Sequence, residues 1–174
     1  LPKKLNSFYK KKSKFSFKVD NKSKTIKDFD PVTNIDRGFE RYIRSLIHKS
    51  FPDHSIIGEE FEDKFSSSNY QWCIDPIDGT RAFIIGAPTW SNLIGLSFQD
   101  KSILGLANFP ELDKYYISNK NKSFLIKNKI KSILKSSKNN NLKKIKIIGN
   151  FHGTLSYEKQ KKIIKKFGWS FRLA

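Results

Sequence analysis

The chain has 174 residues, 37% of them hydrophobic and 15 of them Phe, which suffices for one packed core and excludes disorder throughout. The balance of 34 Lys and Arg against 16 Asp and Glu leaves a charge of +18, yet the lysines are scattered among Asn, Ile and Ser, which reads as compositional bias rather than a polyanion-binding face. Cys73 is the single cysteine, so an internal disulfide is excluded and a reducing, cytoplasmic setting is expected; no apolar run approaches the roughly 20 residues of a membrane span.

Residues 1 to 28 are Lys-rich and poorly patterned, a solvated face or a frayed helix end to which no chemistry is assigned. The first clear element is a helix opened by Asp30-Pro31-Val32-Thr33-Asn34-Ile35-Asp36. Ile35, Phe39, Ile43, Leu46 and Ile47 recur at spacings of three and four, and the helix must end by Phe51, ahead of Pro52. Thr33 is its expected N-cap with Asp36 three residues on, as in a capping box, which gives Asp36 a structural role beside any chemical one. His48 and His54 flank the end without partners at ligand spacing, so surface or capping roles are expected.

Ser55-Ile56-Ile57 then forms a short strand running into Gly58-Glu59-Glu60, which alone would be an exposed acidic turn. The next strand alternates Tyr70, Trp72 and Ile74 with Gln71 and Cys73, with Cys73 a buried structural thiol; if the two strands are neighbours, Glu59 and Asp75 leave the sheet at one edge. Pro76 is expected to end that strand at Asp75. Within Asp75-Pro76-Ile77-Asp78-Gly79-Thr80, two carboxylates three residues apart can face one point, where their repulsion is tolerable with a cation between them. Gly79 allows close approach of a ligand, and Thr80 can start a short helix with free N–H groups for an anion.

Trp90 to Phe98 and Ser102 to Ala107 form one expected hairpin, and Lys114 to Ser118 with Ser123 to Ile126 a second. Consecutive strands with helices imply an α+β domain over residues 1–142, in which Lys127 to Lys144 is a linker or exposed ribbon. Residues 143–174 read as strand, helix and strand, the beginning of an α/β domain. A chain with no Met that starts at Leu1 is expected to be part of a longer one.

The segments Asp30 to Asp36, Gly58-Glu59-Glu60 and Asp75 to Thr80, in that order, resemble the inositol monophosphatase superfamily of metal-dependent, lithium-sensitive phosphatases. Asp78-Gly79-Thr80-Arg81-Ala82-Phe83-Ile84 with Gly86-Ala87-Pro88-Thr89-Trp90 is most similar to its histidinol-phosphate phosphatase branch, where the inositol branch has Thr-Asn-Phe after Gly-Thr and the phosphoadenosine branch Lys-Glu-Phe.

The resemblance implies a layered α-β-α-β-α sandwich, a homodimer and a small phosphate-ester substrate. It also implies two or three Mg²⁺ ions held by Glu59, Asp75, the Ile77 carbonyl and Asp78. The Gly79 and Thr80 amides would bind the phosphate, while Glu59, Thr80 and Asp36 would form the catalytic set, the Thr80 hydroxyl donating to Asp36 and orienting the attacking water. Water as nucleophile agrees with the lack of a suitable Cys or His. A family lysine upstream of Asp36 could be Lys22, Lys24 or Lys27.

The chain departs from the family in lacking a first helix, a downstream Trp-Asp metal ligand and a Gly-Ser-Ala segment, so these 174 residues alone are expected to be inactive or poorly folded. The related alternatives are an inositol-phosphate or bisphosphate-nucleotide phosphatase. A basic nucleic-acid module, or an inactive fragment, is the non-enzyme alternative; a nucleic-acid module leaves Glu59, Asp75 and Asp78 unexplained, since converging acids repel phosphate unless a metal intervenes.

Overall fold

The computed structural model describes residues 1–12, 18–22, 31–136 and 138. Helix α1 (Pro2–Lys12) opens the chain, followed by strands β1 (Val19–Asn21) and β2 (Pro31–Thr33), which pair antiparallel, and by helix α2 (Asn34–Ser50). The sheet is built from β3 (Ser55–Gly58), β4 (Tyr70–Asp78), β5 (Ser91–Phe98), β6 (Lys101–Phe109), β7 (Lys114–Asn119), β8 (Ser123–Lys127) and β9 (Ile130–Leu134), with helix α3 (Thr80–Ile84) between β4 and β5. Its seven strands lie in sequence order; β3 and β4 run parallel, and every later neighbour is antiparallel. The described fold belongs to one compact unit, Leu1–Leu134, and the expected domain of residues 143–174 lies outside the described residues.

The capping box of α2 is formed: the Thr33 hydroxyl accepts from the Ile35 and Asp36 amides at 3.1 and 3.3 Å, and the Thr33 amide donates to Asp36 Oδ2 at 2.8 Å. The buried stripe is Ile35, Phe39, Ile43 and Ile47, each one turn further on, with Leu46 at its half-buried margin. The stripe packs on the sheet face carrying Trp72, Ile74, Ile94 and Leu106. Helix α1 corrects the reading of the N-terminus as unpatterned. Leu5 is fully buried, and Phe8 and Tyr9 pack on the same core, Phe8 stacking on Tyr42 with ring centroids 4.8 Å apart. Exposed Lys3, Lys4, Lys10 and Lys11 surround that stripe and mask its spacing in the sequence.

Three further expectations are corrected. Strand β4 does not end at Asp75 but runs to Asp78 through a bulge: three steps from Asp75 to Asp78 face two from Leu93 to Ser91. Cys73 is exposed among the described residues, because it lies on the face opposite Trp72 and Ile74, which α1, α2 and α3 do not cover. His54 is neither a plain surface group nor a cap. Its Nδ1 accepts from Trp72 Nε1 at 3.1 Å and its ring stacks on Tyr70 and Phe51.

Strand β9 forms inside the stretch read as a linker or exposed ribbon, of which the second reading is the nearer. Its turn, Asn128-Lys129, has positive φ at both residues (50° and 66°), as does Gln99-Asp100 between β5 and β6 (48° and 61°), the geometry whose twist suits a two-residue hairpin. All of β9 is exposed, so no alternation marks it as a strand in the sequence.

Candidate active site

The parallel pairing of β3 with β4 sets the site. Gly58 lies opposite Ile74, so the next residues on each strand, Glu59 and Asp75, leave the sheet side by side. The bulge then displays Ile77 and Asp78 at the same edge. Its shape is held from below: Asn92, fully buried, donates to the Pro76 carbonyl at 2.6 Å and accepts from Asn108 at 2.9 Å, and Asn108 also donates to Asn6 of α1 at 2.8 Å. Ser91 Oγ donates to Asp78 Oδ2 at 3.2 Å. Sequence reasoning missed these supports; the available signal was an Asn at an inward position of two otherwise apolar strands.

Gly79 adopts φ 85°, a left-handed conformation that a side chain would strain, and it turns the chain from the bulge into α3. That places the Thr80 hydroxyl 3.1 Å from the Ile77 carbonyl and 3.4 Å from Asp36 Oδ1, within reach of either acceptor for its one proton. Asp36 is buried, and burial pushes its carboxyl up against the opposing hydrogen bonds from Thr33, Asp36's own amide and Thr80. Thr33 engages Oδ2 through its amide and its hydroxyl, so Oδ1 is the oxygen left to Thr80.

Glu59 and Glu60 do not form a plain exposed turn. The Glu60 side chain is 3% exposed, and Lys22 Nζ bridges Glu60 at 2.7 Å and Glu59 at 3.2 Å. Burial opposes the Lys22 ammonium, but its bonds and attraction to Glu60 and Glu59 outweigh that and raise it; burial raises Glu60 in spite of Lys22. Lys24 and Lys27 lie outside the described residues. The predicted site residues therefore gather as two neighbouring groups, Glu59 with Asp75 and Asp78, and Asp36 with Thr80 and Ile77.

Asp75 carries the electrostatic tension. Burial, the Glu59 carboxylate beside it and then Asp78 push its carboxyl up to about 7, and its Oδ1 is buried without a hydrogen-bond partner. Among the described residues no three acidic, His or Cys side chains converge closely enough to hold an ion as they stand. The orphaned oxygen, two adjoining carboxylates and a backbone carbonyl are nevertheless a set of hard oxygen donors that fits Mg²⁺. An open trough of about 740 Å³ borders Glu59 and Asp75.

The tension has a measurable sign. Without metal, the folded chain holds the Asp75 proton more tightly than the unfolded one, so stability falls as pH rises from about 4 toward 7 and levels off above. Thermal midpoints of the metal-free protein are expected to be lower at pH 8 than at pH 5, with added Mg²⁺ raising the midpoint more at pH 8. A Mg²⁺ effect independent of pH would contradict this.

The chain matches the Inositol monophosphatase family over residues 4–168. It is 44% identical over 90 residues to a histidinol-phosphatase of Chlorobaculum parvum, covering 52% of this chain and 35% of that protein. It is 39% identical over 99 residues to a fructose-1,6-bisphosphatase/inositol-1-monophosphatase of Aquifex aeolicus, covering 57% and 37%. The solved extragenic suppressor protein SuhB of Bartonella henselae superimposes with a TM-score of 0.64 at 25% identity, over 70% of this chain and 47% of that one. The matched stretch thus spans little more than a third of those curated relatives and about half of the solved structure. With the family's match extending over most of its length, the chain belongs to the inositol monophosphatase family of metal-dependent phosphatases.

Proposed function

We propose that the whole protein is a Mg²⁺-dependent phosphomonoesterase whose substrate is histidinol phosphate. The observation that carries the metal reading is the buried, unpartnered Asp75 Oδ1 beside Glu59 and Asp78. Glu59, Asp75, the Ile77 carbonyl and Asp78 would hold the ions. The chemistry an ion held there would supply is a lowered pKa for its bound water and charge neutralisation at the leaving oxygen. The Gly79 and Thr80 amides present donors to the phosphate oxygens. Thr80 would donate its hydroxyl hydrogen bond to Asp36, leaving its lone pairs to accept from the attacking water and so align that water with the phosphorus.

This assignment makes Thr80 sensitive to its hydroxyl alone. Thr80→Ala is expected to lower kcat by about 10²-fold with KM little changed, whereas Thr80→Ser stays within a few-fold. Steady-state kinetics of both variants check it, and equal losses would remove the hydroxyl from the mechanism.

The substrate rests on Arg81-Ala82-Phe83 and Pro88-Thr89-Trp90, which resemble the histidinol-phosphate branch, and on the relative of that name. An inositol-phosphate activity is the second reading, favoured by the relative whose name carries it. Hydrolysis of a panel of phosphate esters by the whole protein decides between them. Histidinol phosphate turned over no faster than inositol 1-phosphate would overturn the first.

A further inference from the structure

Helix α2 carries a buried ion pair that the mechanism above does not use. Glu40 is fully buried, and both of its oxygens are committed: Oε1 accepts from Arg44 Nε at 2.8 Å and Oε2 from the Glu60 amide at 2.7 Å. Arg44 extends the contact, its Nη2 donating to the Phe61 carbonyl at 3.2 Å, and the Arg41 guanidinium lies 5.3 Å from the centre of the Phe61 ring. The pair also explains Gly58. A Cβ there would fall 1.9 Å from Glu40 Oε1 and 2.6 Å from Arg44 Nη2, so the space of a side chain at 58 is already filled by the ion pair.

Glu59 is thus fixed in backbone on both sides, with Gly58 seated against the ion pair and the Glu60 amide bonded to it. Its own side chain remains half-exposed, held by Lys22 on one side and beside Asp75 on the other. A carboxylate aimed in this way loses little freedom when it takes up an ion, and groups that orient a ligand in the same fashion elsewhere set metal affinity by about 10- to 100-fold. A buried pair contributes little net stability over an apolar replacement, so packing alone gives a weak reason for placing two charges here.

We propose that Glu40 and Arg44 are positioning residues for Glu59, clamping the Gly58–Phe61 backbone and thereby setting how tightly the site binds a divalent cation. The proposal rests on Glu59 being a metal ligand, and the experiment separates the two. Mn²⁺ binding to the metal-stripped whole protein is measured by calorimetry for Glu40→Gln, Arg44→Lys and Glu59→Gln, alongside thermal unfolding of each. Glu40→Gln keeps the shape and an acceptor for the Glu60 amide but removes the charge facing Arg44; it is expected to weaken Mn²⁺ binding about tenfold while unfolding stays cooperative. Arg44→Lys keeps the charge and gives up the Phe61 carbonyl, with a smaller weakening in the same direction. A lowered unfolding midpoint with wild-type Mn²⁺ affinity in the folded variants would overturn the proposal, and Arg44→Lys decides it if Glu40→Gln fails to fold. Wild-type Mn²⁺ affinity in Glu59→Gln would overturn the metal reading of Glu59 itself.

Discussion

On the proposed function, Asp75→Asn is expected to abolish Mg²⁺-dependent phosphate-ester hydrolysis in the whole protein while making the metal-free fold more stable above neutral pH. Both effects follow from one carboxyl group. Asparagine keeps the volume and the carbonyl oxygen but gives the site no second negative charge next to Glu59, so the ions lose a ligand and the transition state loses several kcal/mol, about 10³-fold or more in kcat/KM. In the absence of metal the same change removes the buried charge that Glu59 and Asp78 oppose. The gain grows as pH rises from about 4, is complete above about 7, and vanishes below about 4, where the native carboxyl is protonated in folded and unfolded chains alike. Activity assays and thermal melts in chelator at pH 5 and pH 8 test the pair of effects. A variant that stays active, or that melts lower than the parent at pH 8 without metal, contradicts this account.

Trp90→Ala is expected to lower stability by about 3–5 kcal/mol. Trp90 is 1% exposed and is surrounded by rings: Phe83 edge-on at 5.1 Å, Tyr9 edge-on at 5.0 Å and Phe39 at 6.1 Å between centroids. These rings come from α3, α1 and α2, so the cavity opens where all three helices meet and cannot close by moving one of them. The Trp90 backbone also lies close to Gly79, 3.6 Å from where a Cβ would stand. The site is therefore expected to loosen with the core. Urea denaturation should show a lower midpoint with the slope preserved, and a loss under 1 kcal/mol would mean that the cluster repacks around the void.

The sequence resemblance to a histidinol-phosphate phosphatase branch depends partly on these same residues. Phe83 and Trp90 mark the branch in the sequence, and in the fold they face each other in the core rather than the trough. They support the turn that would present the phosphate donors. Discrimination between one phosphate ester and another has to come from groups that reach the ester's other end.

What could be read beforehand follows the periodicity of burial. Helix α2 was legible because its stripe repeats each turn and Thr33 with Asp36 announces its start; β4 was legible through Trp72 and Ile74. Helix α1 was not, because lysines fill the positions around Leu5, Phe8 and Tyr9, and β9 was not, because both of its faces are exposed. Pro76 points to a strand end in any sequence, yet here the Asn92 amide takes the Pro76 carbonyl and the strand continues through a bulge. The acids of the site could be named from their motif. Their supports, Glu40 with Arg44 and Asn92 with Asn108, could not, since a buried polar pair is recognised only when both partners are seen together.

The order of strands in the sheet carries a kinetic consequence. From β5 to β9 every neighbour is joined by a short antiparallel connection, so this meander can zip up through local contacts with little loop entropy to overcome. Glu59 and Asp75 come together only when β3 docks parallel to β4 and α2 closes over both, contacts of longer range. An ion that needs both carboxylates can hold only a chain that has already completed this last step. Metal would then slow unfolding while leaving the rate of folding almost untouched, and the assembled site would act as a latch on a fold formed without it.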